Sequence, residues 1–159
     1  MLTMRKIKNN RQIMTDMERN YLLQLLDAYA DHPEGAWLNS VPYRECRYFW
    51  CEAMNTDNGV LGARPLFGKD IYLAPIPGEC YDITLIRHWI ESIAPTAIHE
   101  LRHLYQQKCY GKLLWSLLLF PEKLPFLYGK FIIERDALHI EERADDIILA
   151  EKHLSLFAD

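Results

Sequence analysis

The run His99-Glu100-Leu101-Arg102-His103 constrains this chain more than any other feature. It lies in a stretch, Thr96 to Gln107, that has no Gly or Pro and carries Ala97, Ile98, Leu101, Leu104 and Tyr105 at helical spacing. Pro95 suits a first helical turn and Gly111 suits a stop, which places the run in the middle of a helix. There, positions i and i+4 lie one above the other on one face. Two imidazoles so placed can bind one metal ion together, and a glutamate between them can hold a water against it. At this spacing two His bind Zn²⁺ and the Glu serves as general base for hydrolysis. With 6 His in 159 residues the pattern can arise by chance. Its position mid-helix, where the geometry works, argues for a metal site.

Two histidines do not complete a catalytic zinc site, which needs three protein ligands and an open fourth position. The third ligand is expected from a second helix downstream. The stretch Ile132 to Asp146 holds two Glu-x-x-Ala units, Glu134 to Ala137 and Glu141 to Ala144. Their seven-residue spacing puts both glutamates on one helix face. The alanines share a face as well, which lets this helix approach a neighbour closely.

His-Glu-x-x-His followed by Glu-x-x-Ala-Asp resembles the gluzincin metallopeptidases. The short chain and the gap between the motifs are closer to the minigluzincin and ImmA/IrrE-type members. The resemblance covers roughly residues 71 to 150, and the first 70 residues carry no motif of it. It implies a zincin-like α+β fold, mostly helical, with a small sheet or hairpin before the active-site helix. It also implies zinc-dependent peptide-bond hydrolysis, with His99, His103 and Glu141 as metal ligands and Glu100 as the catalytic base. Asp145 would then brace the first histidine, His99, by accepting a hydrogen bond from its distal nitrogen. Glu134 is the rival third ligand. Leu138 occupies the bracing position four residues after it and cannot accept a hydrogen bond, which favours Glu141. The glutamate that does not bind metal is expected in an ion pair, with Arg102 or Arg135 as partner. For the oxyanion-stabilising donor, Tyr105, Tyr110, Tyr128 and His139 stay open. Two alternatives are a regulatory protein of ImmA/IrrE type acting on one repressor and a non-enzymatic domain stabilised by zinc. A structural site needs no base, so Glu100 argues against the latter.

The length suits a single domain over residues 1–159, with a motif-bearing core at about 71–153 and an N-terminal helical part at about 15–54. Half the residues are hydrophobic and 12% aromatic, enough for a core. A net charge of −4 gives no basic footprint, so the expected partner is a peptide or protein substrate and not nucleic acid. The basic cluster Arg5, Lys6, Lys8 and Arg11 reads as a solvated N-terminal segment. Cys46, Cys51, Cys80 and Cys109 form no C-x-x-C pair. With no signal-peptide pattern in residues 1 to 12, free thiols and a cytoplasmic location are expected.

Along the chain, Thr15-Asp16-Met17-Glu18 is a capping-box pattern opening an amphipathic helix at roughly 15 to 30. His32 suits a cap at its end. Residues 41 to 54 fit helix or strand, with helix preferred. Val60 to Arg64 and Asp70 to Leu73 suit a hairpin around Phe67-Gly68-Lys69. Ile71-Tyr72-Leu73 is placed to form the rim of the cleft, with a free edge to which an extended substrate adds. Asp82 to Ile93 reads as a helix leading into Pro95. Leu113 to Phe120 is too short to span a bilayer, and reads as core packing or an interfacial membrane contact. The last helix is expected from between Leu127 and Phe131 to about His153.

Overall fold

Thr15 opens the first long helix as its sequence demands. Its side-chain oxygen accepts from the Glu18 N–H at 3.2 Å, and the Glu18 carboxylate accepts from the Thr15 N–H at 2.9 Å. The rest of the chain, in a computed structural model, is described for residues 4–55, 59–65, 68–78, 80–118 and 129–157. In order the elements are helix α1 (Met4–Asn9), strand β1 (Arg11–Ile13), helix α2 (Asp16–Asp31), two 3₁₀ segments (Pro33–Ser40 and Tyr43–Glu45), strands β2 (Arg47–Cys51), β3 (Gly62–Ala63) and β4 (Asp70–Leu73), and helices α3 (Ile83–Leu118) and α4 (Gly129–Phe157). The fold is α+β, mostly helical with one small mixed sheet. His32 caps the 3₁₀ segment after α2, its Nδ1 accepting from the Glu34 N–H.

The sheet order is β1-β2-β4-β3. β2 pairs antiparallel with β1 and parallel with β4, and β3 pairs antiparallel with β4, Gly62 opposite Leu73. The helix preferred for residues 41–54 is therefore replaced by a 3₁₀ turn and the strand Arg47–Cys51. The physical reason is that β2 lies inside the sheet and is covered on both faces. Tyr48, Phe49 and Cys51 are all buried, so the alternation that marks a strand is lost. Arg11 is exposed, as expected of this basic segment, yet it is tied to the sheet. It lies in β1, its guanidinium 4.6 Å from the centre of the Phe49 ring and 3.0 Å from the Tyr72 hydroxyl. The hairpin of β3 and β4 forms as expected, though Phe67 in its turn lies outside the described residues.

The expected free edge of Ile71-Tyr72-Leu73 does not exist, because β2 and β3 occupy both sides of β4. Among the described residues the edge nearer the motif that has no strand beside it belongs to β3. Helix α3 also differs from expectation at Pro95, which lies inside the helix and not at its start. Asp82 starts it, its carboxylate accepting from the Thr84 and Leu85 N–H groups. An interior proline costs roughly 3 kcal/mol. Burial of Ile90, Ile93, Ala94, Ala97, Ile98 and Leu101 along the same helix offsets that cost. At Gly111, the expected stop, a φ of 75° breaks the helical path, and helix resumes beyond this kink to Leu118.

α3 packs most extensively on α4 and next on α2, while the sheet lies against its N-terminal half. The apolar core is continuous from Leu22 and Leu26 through Tyr48 and Ile71 to Ile98 and Ala144. Residues 119–128, including Phe120, Pro121, Pro125 and Tyr128, lie outside the described residues. Among the described residues no helix is long and apolar enough to cross a membrane.

Candidate metal centre

Every buried polar side chain among the described residues lies on one stripe of α3: Thr96, His99, Glu100, His103 and Gln106. That spacing is one helix face. Buried polar groups demand partners, and α4 supplies them. It runs antiparallel to α3, with Ala137 and Ala144 fully buried at the contact. These small residues let the helices close in, so that Glu134 and Glu141, on the same face of α4, reach the stripe.

The Nε2 atoms of His99 and His103 lie 3.1 Å apart. Glu134 meets both, with 3.0 Å to His103 Nε2 and 3.3 Å to His99 Nε2. One ligand atom from each of these three residues falls within 4.8 Å of the others, and this buried His-His-Glu group could hold a metal ion. The structure thus brings Glu134, and not Glu141, to the converging nitrogens. Glu141 instead sits on the opposite side of His99, its Oε2 2.8 Å from Nδ1 and its Oε1 accepting from the Thr96 hydroxyl at 3.0 Å. The approach to Nδ1 is close but off the N–H axis. The bracing place assigned to Asp145 is therefore taken by Glu141, and Asp145 is exposed. The cause is axial register: in the antiparallel pair His103 faces Glu134, Thr96 faces Glu141, and His99 lies between. Both Glu-x-x-Ala units present the same face, so spacing alone could not choose between them. Among the described residues Glu141, left off the converging nitrogens, pairs with neither Arg102 nor Arg135; Arg102 forks onto Asp136 instead.

Gln106, which the sequence reading missed, settles the state of His103. Its side chain meets the Ile133 carbonyl at 3.0 Å and the Asp136 carboxylate at 2.7 Å. Both of these only accept hydrogen bonds, so the amide NH₂ must face them. The amide oxygen is left facing His103 Nδ1 at 2.9 Å, which must then carry the proton. Likewise the Glu141 carboxylate faces His99 Nδ1. Each imidazole thus has its Nδ1 turned to a protein acceptor and its Nε2 lone pair turned to the other's. Two lone pairs and a carboxylate gathered this closely repel unless a proton or a metal ion sits among them. Burial works against a charge on His99, but the Glu134 and Glu141 carboxylates overcome it and push its pKa to about 10. The same two imidazoles hold the Glu134 carboxyl far below the usual range. Burial raises the pKa of Glu100, against the pull of His103 and His99.

The centre opens onto a cleft of about 530 Å³. Its far wall is β3 and the residues beside it. Gly62 is obligatory there: a Cβ on it would stand 2.6 Å from Thr96 Cγ2 and 3.3 Å from a Glu100 carboxylate oxygen. Arg64 and Trp115 also line this cleft. Trp115 is 2% exposed, with its ring 6.1 Å from that of His103 and its indole N–H without a partner among the described residues. Of the candidate oxyanion donors, Tyr105 is turned toward Trp37 and Arg102, and Tyr110 and His139 are exposed and do not line the cleft. Tyr128 lies outside the described residues. No local pattern could have revealed Arg64 or Trp115, since the fold alone brings them to the motif. Gln106 did leave a signal, three residues after His103 on the same face.

No protein-family model matches the chain, and no curated protein and no solved structure matches it either.

Proposed function

We propose that this protein is a zinc-dependent peptide hydrolase of narrow specificity, of gluzincin type. His99, His103 and Glu134 hold the ion, and Glu100 acts as general base. The observation that carries the reading is the convergence of two imidazole nitrogens and a carboxylate, with the His103 tautomer held by Gln106 and a carboxylate beside His99 Nδ1. Two nitrogens and one carboxylate oxygen form a donor set suited to zinc, and leave coordination open on the cleft side. Zinc bound there supplies Lewis acidity, which brings the pKa of water near neutrality and polarises a carbonyl.

The remaining chemistry belongs to the chain. Glu100, buried beside β3 with its pKa raised, is suited to take a proton from the attacking water and deliver it to the leaving amine. Gln106 holds His103 in its binding tautomer, and the Glu141 carboxylate beside His99 Nδ1 favours the same tautomer there. The open edge of β3 gives an extended peptide a backbone to pair with, which favours a peptide over a compact small molecule.

The test combines elemental analysis with turnover. Wild type loaded with metal under reducing conditions is expected to hold about one zinc per chain and to cut peptides. Glu100→Gln is expected to keep the zinc and lose turnover by roughly 10²–10⁴-fold. Absence of zinc after loading overturns the metal site. A full zinc complement with no cleavage of peptides or of candidate protein partners leaves a zinc-stabilised interaction domain.

A further inference from the structure

Arg64 differs from most of the arginines that the fold pins down. The guanidinium groups of Arg11, Arg44, Arg47, Arg102 and Arg143 each lie against a carboxylate. Among the described residues Arg64 has neutral partners: its Nη2 donates to the Gln107 side-chain oxygen at 2.8 Å and to the Gly68 carbonyl at 3.3 Å. Its Nε is buried without a partner, and no ion pair reaches it among the described residues. A half-buried cation without a counter-ion is costly. Yet Arg64 is held on the wall of the cleft that contains His99, Glu100, His103 and Glu134, directly after the β3 edge. Glu100 stabilises its charge through the field, but the two form no ion pair. Among the described residues its guanidinium thus has no carboxylate in contact, a place that a ligand entering the cleft can fill.

We propose that Arg64 is the substrate-carboxylate receptor of this cleft. The substrate presents a carboxylate, either an acidic side chain near the scissile bond or the peptide's own C-terminus, to the guanidinium beside β3. A guanidinium suits this task because its planar donors match a carboxylate, and because it keeps its charge when partly buried. The gluzincin reading supplies the scissile bond. The carboxylate preference belongs to Arg64 and is measured separately.

The probe is a proteome-derived peptide mixture prepared in two forms, one with free carboxylates and one with every carboxylate converted to an amide. Zinc-loaded wild type, Arg64→Met and Arg64→Lys, each checked for zinc content and thermal melting, are incubated with both. New termini are read by mass spectrometry. Wild type is expected to cut the free form about 10–100-fold more readily than the amidated form, the range of a charge-assisted hydrogen bond. The cut sites carry a carboxylate at a fixed distance, and that position separates side chain from C-terminus. Arg64→Met loses the preference while still cutting neutral peptides, and Arg64→Lys keeps part of it. A merely structural Arg64 would lower all cleavage alike. Equal cutting of both forms by wild type, or a preference that survives Arg64→Met, overturns the assignment and leaves the hydrolase reading intact. If wild type cuts nothing, the hydrolase reading fails, and retention of the two mixtures on immobilised zinc-loaded protein decides for Arg64. Preferential retention of the free form, lost in Arg64→Met, supports the receptor, and equal retention overturns it. The comparison of the two forms on wild type needs no variant, so a misfolded Arg64→Met does not block the test.

Discussion

Each imidazole of the centre is held from behind by a different chemistry. His99 has a carboxylate at Nδ1, from Glu141, and His103 has a neutral amide, from Gln106. The two glutamates of α4 should therefore behave differently. Glu134→Ala is expected to abolish stoichiometric zinc. Glu141→Ala should keep zinc with affinity weaker by roughly 10–100-fold, the usual effect of removing such a bracing group. Asp145→Ala should leave affinity unchanged. Competition with a chromophoric chelator measures all three, and zinc lost from Glu141→Ala but kept in Glu134→Ala would reverse the assignment. Gln106→Leu strips the partner from the buried His103 Nδ1. Leaving such a group unsatisfied costs about 1–3 kcal/mol, so its metal-free form should melt lower than wild type, with zinc affinity reduced as well. At this scale the sequence showed which residue types could act. Which nitrogen of each histidine is free, however, depends on residues as far away in the chain as Glu141.

Among the elements, β3 lies close on α3. Gly62 is there for space: the Thr96 methyl that an added Cβ would strike is not free to turn away. Thr96 is β-branched in a helix, and its hydroxyl is tied to Glu141. Gly62→Ala is expected to push β3 off the helix, at a cost of roughly 1–3 kcal/mol for overpacking. Turnover should fall more than zinc content, because Glu100 lies at the same contact. Thermal melting and cleavage assays check both, and unchanged turnover would show that β3 has no part in the site. Elements differed in how legible they were. α2 announces itself through its capping box and its buried Leu22 and Leu26. β2 hides because neighbours on both faces erase its alternation. Pro95 looks like a helix start, yet the surrounding buried residues carry the helix through it.

For the whole molecule, one core joins the helices and the sheet, and its integrity can be read through the cysteines. Cys46 is 1% exposed, and burial pushes its thiol up to about 11, whereas Cys109 is exposed. Alkylation of the native protein at pH 8, followed by peptide mapping, should modify Cys109 readily and leave Cys46 untouched until the chain unfolds. Rapid labelling of Cys46 in the folded protein would contradict the packing of β2 in the sheet. Leu26→Ala, a large-to-small change at a fully buried position, is expected to destabilise by about 2–5 kcal/mol without changing how many metal ions bind. By itself the sequence determined the pieces that depend on local periodicity: a helix with His99, Glu100 and His103 on one face, and a second with Glu134 and Glu141 on one face. Only the tertiary structure decided that Glu134 meets the imidazoles, that Glu141 braces His99, and that Arg64 and Trp115 close the cleft. Helical periodicity is a property of one segment and can be counted along it. Axial register between two helices, and the strand laid across them, follow from how Ala137, Ala144 and Gly62 allow the elements to approach, and no count along the chain contains that.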